Sequence, residues 1–274
     1  MKSEIAKLKL RIKILEEENN TLKSTSSFSS EEPTVKVPIQ FKPIFDKAES
    51  VVKSYFTNLK ASPSEGNITI NDERYVLLRA SSLSNGFFNK LKDLYADKGE
   101  HEAYRIGKNF LFDIAHVLGL EDAKNFHFKM DLNDPISKLS AGPIHFAYTG
   151  WAFVDILAES NPSPDENFYL KYHHPYSFEA DSWMKAGVKS EFPVCIMNAG
   201  YSSGWCEESF GIPLTAVEIS CKAKGDDNCT FIMAPPHKIN EYLKQHDDIN
   251  NTSTKYEVPL FFERQKAEEK IKNS

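Results

Sequence analysis

The sequence predicts an α+β protein in which helices pack on an antiparallel sheet, preceded by a short N-terminal coiled coil. Three observations lead to this prediction. Helical periodicity dominates the first part of the chain, strand-like runs dominate the later part, and a heptad repeat opens it. The 274 residues, 41% of them hydrophobic, supply apolar material for one sizeable core. We therefore expect one globular domain with appendages.

Residues 1–24 are predicted to form a parallel two-stranded coiled coil that makes the protein a homodimer. Apolar residues recur there at alternating steps of three and four, with one asparagine in the series. The alternative is an ordinary amphipathic helix docked on the domain, which three heptads leave open. The polar residues 25–40 are predicted to be a linker. The heptad positions are Ile5, Leu8, Ile12, Leu15, Asn19 and Leu22.

The predicted globular domain spans residues 41–240, and its elements follow from hydrophobic periodicity. A small hairpin is expected around Asn71-Asp72, because turn residues there separate two strand-like runs. Helical spacing predicts helices over 45–59, 81–95, 102–118 and 143–160. Strand-like runs predict strands over 167–172, 192–197, 214–220 and 229–234.

Residues 241–274 are predicted to be a linker followed by a C-terminal signalling helix. The linker is polar, and a helix rich in charged residues follows from Phe261. A helix in this position is expected where an output domain follows a sensor, and a frayed tail is the alternative.

Composition narrows the possible partners and compartments. The chain has 33 basic and 39 acidic residues, and its net charge of -6 argues against direct binding to nucleic acid. No apolar run approaches the roughly 18 residues that span a bilayer, and no signal-peptide core follows the first residues. We therefore expect a cytoplasmic protein without a membrane partner, in which thiols are reduced and available to a metal.

A group of cysteines near the end of the domain predicts a structural zinc site, and with it a zinc-binding C-terminal lobe. Zinc prefers thiolate and carboxylate ligands, and in a structural site four protein groups occupy all of its coordination positions. Glu218 and Cys221 can reach one metal if the chain between them bends. The turn-forming residues 222–228 let Cys229 fold back toward Cys221. Cys195 would complete the set, with Cys206 as the rival ligand. Unrelated buried thiols are the alternative to a metal site.

The cysteine-rich region resembles the 4-vinyl reductase domain family, whose best-known members are N-terminal sensor domains of aromatic-responsive, XylR-type transcription activators. The resemblance covers about residues 41–241 and implies one structural zinc ion. The implied zinc ligands are Cys195, Glu218, Cys221 and Cys229, which leaves Cys206 as an extra thiol. The motifs that carry it are Pro193-Val-Cys195, Phe210-Gly211, Val217-Glu218, Lys224-Gly225-Asp226 and Cys229-Thr-Phe231, with Ala141-Gly-Pro143 and Ser177-Phe-Glu-Ala180 upstream.

Aromatic residues with interleaved polar groups in the centre of the chain predict a pocket for a small hydrophobic or aromatic ligand. The alternative is that these aromatics only form the core. The resemblance implies that phenol-responsive members hold the ligand hydroxyl with a histidine and a tryptophan. Phe146 and His174 occupy those positions here, so another aromatic, hydrophobic or acyl ligand is equally expected. The predicted ligand-binding residues are His145, Phe146, Tyr148, Trp151, His174, Tyr176, Phe178 and Tyr201.

The sequence therefore predicts a cytoplasmic, dimeric sensory domain rather than an enzyme, with a C-terminal output domain as a further partner. No dinucleotide fingerprint or ordered set of catalytic residues is recognisable. Two alternatives stay open. The family's name suggests a reductase or its partner acting on a vinyl-tetrapyrrole, and a resemblance to the vesicle-tethering TRAPP subunits suggests a scaffold with a buried acyl chain.

Overall fold

The computed structural model describes residues 11–13, 32–250 and 256–261. The predicted coiled coil lies outside the described residues except for three helical residues, and so does the predicted C-terminal helix beyond Phe261. The helices are α1 (Lys42–Phe56), α2 (Ala80–Leu83), α3 (Asn85–Leu94), α4 (Glu100–Lys129), α5 (Pro135–Tyr148), α6 (Phe178–Lys185), α7 (Ile196–Phe210) and α8 (Ile239–Asn250). The strands are β1 (Val35–Lys36), β2 (Leu59–Ser62), β3 (Asn67–Ile70), β4 (Glu73–Tyr75), β5 (Ala152–Ile156), β6 (Leu170–Ser177), β7 (Thr215–Ser220) and β8 (Cys229–Ala234).

The main sheet has five strands in the order β1-β5-β6-β8-β7, and it is mixed. The predicted antiparallel sheet is therefore wrong in one pair, because β1 runs parallel to β5. The chain passes through several helices and the small sheet before it reaches β5, and a crossover of this length is what a parallel pair requires. β1 also lies inside the predicted linker 25–40, so the sheet begins before the expected domain boundary.

A second, three-stranded sheet contains the predicted hairpin. β3 pairs with β4, and β2 adds to the other side of β3. Asn71 and Asp72 form the turn with φ values of 50° and 68°. Two consecutive residues with positive φ are typical of the turns that join twisted antiparallel strands, and asparagine and aspartate tolerate them best after glycine.

Two predicted elements near the centre of the domain are wrong. The predicted helix 143–160 ends at Tyr148, because the chain turns at Gly150 with φ 77° and continues as β5. The predicted strand 192–197 is a loop that leads into α7, with Cys195 as the residue before the helix. Helix 81–95 is divided at Ser84, and α4 extends beyond the predicted 102–118 at both ends.

The core forms where α7 packs against α4 with close contact between their backbones. A Cβ atom on Gly204 would lie 2.0 Å from the carbonyl oxygen of His116, and one on Gly200 would lie 2.4 Å from that of Phe112. From the other side, a Cβ on Gly119 would lie 2.1 Å from the carbonyl oxygen of Tyr201. Only glycine permits such an approach, so these residues fix α7 against α4.

The C-terminal part of the described chain packs against the domain rather than leaving it at residue 240. Ile239 and Leu243 of α8 are buried with residues of β7 and β8 in a second small core. Further along, the ammonium of Lys108 donates a hydrogen bond to the carbonyl oxygen of Glu257 at 2.7 Å. Among the described helices, none has the length and apolar character to cross a membrane.

Candidate metal centre and ligand cavity

Four buried side chains converge between the start of α7 and the β7–β8 hairpin. One ligand atom from each of Cys195, Glu218, Cys221 and Cys229 lies within 4.8 Å of every other. The Sγ atoms of Cys195 and Cys229 are 3.5 Å apart. Sulfur ligands at the zinc bond length of about 2.3 Å sit about 3.8 Å apart in a tetrahedron, so this spacing suits a zinc-sized ion. The residues predicted from the sequence are thus brought together in one potential metal centre.

Local backbone features explain how residues far apart in sequence meet here. A β-bulge lies between Glu218 and Ser220, where the register with β8 shifts. An uninterrupted strand would point residues 218 and 221 to opposite faces, and the bulge resets that alternation. After the strand, the backbone N–H of Cys221 donates to the Asp226 carboxylate at 2.7 Å, and Gly225 takes φ 99°. The turn then returns the chain to Cys229 at the start of β8.

The centre has the electrostatics of a cation site. Oε2 of Glu218 accepts the backbone N–H of Cys195 at 2.8 Å, while its buried Oε1 has no hydrogen-bond partner among the described residues. Burial raises the pKa of both Glu218 and Cys195, and the neighbouring thiols lower the pKa of Cys221. Burial thus disfavours the charged thiolate and carboxylate forms. A bound cation favours these forms and so offsets the effect of burial.

Cys206, the rival ligand, lies elsewhere. It is buried on α7, outside the cluster, and borders an internal cavity. Burial raises the pKa of its thiol to about 12. Cys195 rather than Cys206 therefore completes the potential metal centre.

The internal cavity has a volume of about 40 Å³ and an apolar surface, and it lies between α5, α7 and the main sheet. Its size exceeds the roughly 10–15 Å³ that one water molecule needs, and it is well below the roughly 150 Å³ of an engineered cavity that holds benzene. The lining residues are Leu139, Gly142, Pro143, Phe146, Val154, Ile156, Leu170, Tyr172, His174, Tyr201, Ser202, Trp205, Cys206 and Met233.

His174 is the unusual member of the cavity wall. Its side chain is 0% exposed, and it lies among the rings of Phe231, Tyr172 and Phe146 at centroid distances of 4.5, 5.2 and 5.7 Å. Neither ring nitrogen has a hydrogen-bond partner in the part of the chain that the structure describes. Burial lowers its pKa to about 3, so the ring is neutral near pH 7 and offers one donor and one acceptor.

The eight predicted ligand-binding residues fall into three groups. Phe146, His174 and Tyr201 line the internal cavity. Trp151, Tyr176 and Phe178 line a separate groove of about 720 Å³ on the outside of the domain. His145 and Tyr148 border neither space: Tyr148 stacks on Phe56, and the buried His145 lies 3.3 Å from the hydroxyl of Tyr201.

The sequence prediction missed several cavity residues, of which Tyr172 and Trp205 are the largest. Tyr172 precedes His174 by two positions on β6, and the period of two along a strand puts both on one face. Trp205 follows Tyr201 by four positions on α7, which is also a same-face spacing. Both could therefore have been found once a neighbouring cavity residue and its element were known.

Comparison with known proteins agrees with this arrangement. Residues 176–235 match the model of the 4-vinyl reductase domain family. This segment is similar to a 4-vinyl reductase domain. The resemblance predicted from the sequence is thereby confirmed, and the matched segment holds the whole potential metal centre. The matched segment leaves out α5 and most of β6, so much of the cavity wall lies outside it.

Two proteins to which this chain is similar are informative. It is 29% identical to the phenol regulator MopR of Acinetobacter guillouiae over 172 residues, which are 62% of this chain and 29% of MopR. The match thus spans under a third of MopR's length. The fold is similar to that in the crystal structure of the phenol-responsive sensory domain of the transcription activator PoxR with phenol. That comparison has a TM-score of 0.60 and 18% identity and covers 72% of this chain and 94% of the other. At this identity the likeness to PoxR shows a shared fold.

Proposed function

We propose that this chain is the sensory part of a signalling protein and binds a small neutral aromatic compound in the internal cavity. The observation that carries the proposal is His174, a fully buried neutral histidine whose nitrogens lack partners in the described residues and which faces an apolar space. Leaving such a group unpaired costs roughly 1–3 kcal/mol, so it is retained where a ligand can pair with it. The named roles of MopR and PoxR support the same class of ligand.

The cavity wall limits the chemistry of that ligand. Aromatic and aliphatic side chains supply apolar contacts, and neutral His174 supplies one donor or acceptor. A ring with one hydroxyl or carbonyl group satisfies both, whereas a carboxylate would be buried without a cationic partner at high cost. The hydrogen bond would come from β6 at His174, because the position on α5 is the apolar Phe146.

Ligand binding in this cavity is suited to signalling because the space is smaller than an aromatic ring. A ring therefore binds better to a widened form of the domain than to the form described, and this difference in affinity shifts the population between them. The predicted coiled coil at 1–24 and a C-terminal output domain would carry the shift onward. Both stay predictions.

We further propose that the metal centre holds zinc in a structural role. Three thiols and one carboxylate fill a tetrahedral site and leave no position for a substrate. Cys195, Glu218, Cys221 and Cys229 would hold the ion and fix the start of α7 to the β7–β8 hairpin. The binding free energy of such a site contributes directly to folding.

The test uses the full chain. Native mass spectrometry should show one zinc ion per chain, and calorimetry should show binding of phenol and benzaldehyde, weaker binding of toluene and none of benzoate. Equal affinity for toluene and phenol, or binding of benzoate, would contradict the proposal that His174 forms a hydrogen bond with a neutral ligand. A firmly retained acyl chain would instead favour the scaffold alternative, and a bound vinyl-tetrapyrrole would favour the reductase.

A further inference from the structure

The outer groove runs beside the internal cavity. It has a volume of about 720 Å³ and is bordered by the end of α5, the start of β5 and the start of α6. Ala147 of the groove follows Phe146 of the cavity along α5, and Ser177 of the groove lies three residues after His174 along β6. The two spaces therefore share a wall that these segments of α5 and β6 help to form.

Trp151 forms the groove side of that wall. Its side chain lines the groove, and its ring packs on Phe146 at 5.4 Å and on Tyr201 at 4.7 Å between centroids. Phe146 and Tyr201 in turn line the cavity and stack on each other at 5.0 Å. At this point two aromatic layers separate solvent in the groove from the cavity: Trp151 on the groove side and the stacked pair Phe146 and Tyr201 on the cavity side.

The backbone of Trp151 is held by two hydrogen bonds, and the groove lies beside this residue. The Trp151 N–H donates to the carbonyl oxygen of Phe146 at 3.0 Å, and its own carbonyl oxygen accepts the N–H of Phe178 at 2.9 Å. The indole is only partly buried and meets Phe178 edge-on at 5.4 Å. A change of the Trp151 rotamer removes the outer layer and with it the ring that packs on both Phe146 and Tyr201, and such changes are fast at partly exposed positions.

We infer that Trp151 is the gate through which a small neutral aromatic molecule passes from the groove into the cavity. The inference rests on the proposed ligand cavity. It assigns Trp151 a role in the rates of entry and exit, whereas Phe146, His174 and Tyr201 determine how tightly the molecule is held.

Cys206 provides a direct measurement of access, because its buried thiol borders the cavity and is not part of the metal centre. The full chain is treated with methyl methanethiosulfonate, a small neutral thiol reagent, and the adduct at Cys206 is followed by peptide mass spectrometry. Trp151→Ala should label Cys206 at least tenfold faster than the unmodified protein. Trp151→Phe, which keeps an aromatic layer, should stay close to the original rate.

Tyr176→Ala is the matched control, because Tyr176 lines the same groove, is 68% exposed and borders no part of the cavity. It should leave the rate at Cys206 unchanged. Labelling must rise at Cys206 while Cys195 and Cys229 stay protected, since general unfolding would expose all of them. If Trp151→Ala does not fold, Trp151→Leu replaces it.

Two results overturn the gate. One is a rate at Cys206 within twofold of the original in a folded Trp151→Ala or Trp151→Leu protein. The other is an equal acceleration in Tyr176→Ala. The experiment needs no ligand, so its failure leaves ligand binding in the cavity intact, and a failure of phenol to bind in calorimetry leaves the access measurement valid.

Discussion

Replacing His174 with phenylalanine should stabilise the protein and weaken its binding of hydroxylated ligands. Both ring nitrogens are buried and lack partners within the described ranges. Each unpaired buried polar group costs roughly 1–3 kcal/mol, and an apolar ring of similar shape removes that cost. Phenylalanine is slightly larger than histidine, and the adjoining cavity of about 40 Å³ can receive the extra atoms. We expect the free energy of unfolding to rise by about 1–3 kcal/mol.

The same substitution removes the hydrogen bond proposed for the ligand. A net loss of about 0.5–1.5 kcal/mol corresponds to a dissociation constant for phenol that rises roughly 2- to 12-fold. Toluene makes no such bond, so its affinity should stay the same. Stability and phenol affinity should thus change in opposite directions, as is common where a functional site keeps a locally unfavourable group.

Urea unfolding followed by circular dichroism measures the first quantity, and calorimetry with phenol and toluene measures the second. His173→Phe is the matched control, because His173 is only partly buried and its Nδ1 pairs with the Thr230 hydroxyl at 2.9 Å. It should not raise stability or alter phenol affinity. The reasoning fails if His174→Phe lowers stability, or if both ligands weaken equally.

Three further perturbations address other parts of the molecule. Cys229→Ser should lose bound zinc and unfold at lower urea, as measured by metal analysis and circular dichroism; a metal-free variant of unchanged stability would contradict the structural role. Gly204→Ala should lower the free energy of unfolding by about 1–3 kcal/mol, because its Cβ would lie 2.0 Å from a carbonyl oxygen of α4, and a neutral result in urea unfolding would disprove that contact. Stability should also fall as the pH drops below about 6.5. In the unfolded state three histidines bind protons near pH 6.5, whereas in the folded state burial lowers their pKa to between about 3 and 4 and keeps them neutral. Burial raises the pKa of Glu179 from 4.5 to about 8, so above pH 4.5 this group partly offsets the loss of stability on acidification. Urea unfolding across pH should therefore show the steepest loss below pH 4.5. Stability that stays constant between pH 6.5 and 4 would refute the neutral, buried state of the three histidines. The three histidines are His127, His145 and His174.

The metal centre could be predicted from the sequence because its determinants are local. β8 begins at Cys229 and ends at Ala234 as the strand-like run indicates, and β7 starts one residue after its predicted boundary. The turn between them contains the residues that turn chemistry favours. The bulge at Glu218 was not visible in the sequence, although the need for a bend between Glu218 and Cys221 was.

α7 could not be predicted because packing, rather than propensity, forms it. Its sequence contains Gly200 and Gly204 with several serines, all weak helix formers. The helix exists because those small residues allow contact with the α4 backbone, which is a long-range property. A strand was predicted at 192–197 because these residues are apolar. In the structure they are apolar because they lie in a buried loop and at the start of α7.

The cavity was predicted only as a collection of aromatic residues. His145 and Phe146 are adjacent on α5, and successive helical residues point about 100° apart, so both cannot face the same space. The structure places Phe146 on the cavity and His145 against Phe56 and Trp205. The position of the sheet relative to α5 decides which of two adjacent residues faces the cavity, and the sequence pattern does not give that position.

The metal centre and the cavity share the same elements, and this limits which wall can yield to a ligand. α7 follows directly from Cys195 and also carries Tyr201 to the cavity, while β6 carries His174 to the cavity and Ser177 to within 3.1 Å of the Cys195 thiol. A zinc ion would therefore hold both elements in place. α5, by contrast, contains Pro143, which lacks the N–H that would complete the helical hydrogen bond beside the cavity. We expect α5 to be the wall that moves when a ring enters, because it is the helix of the cavity wall that the metal centre does not fix.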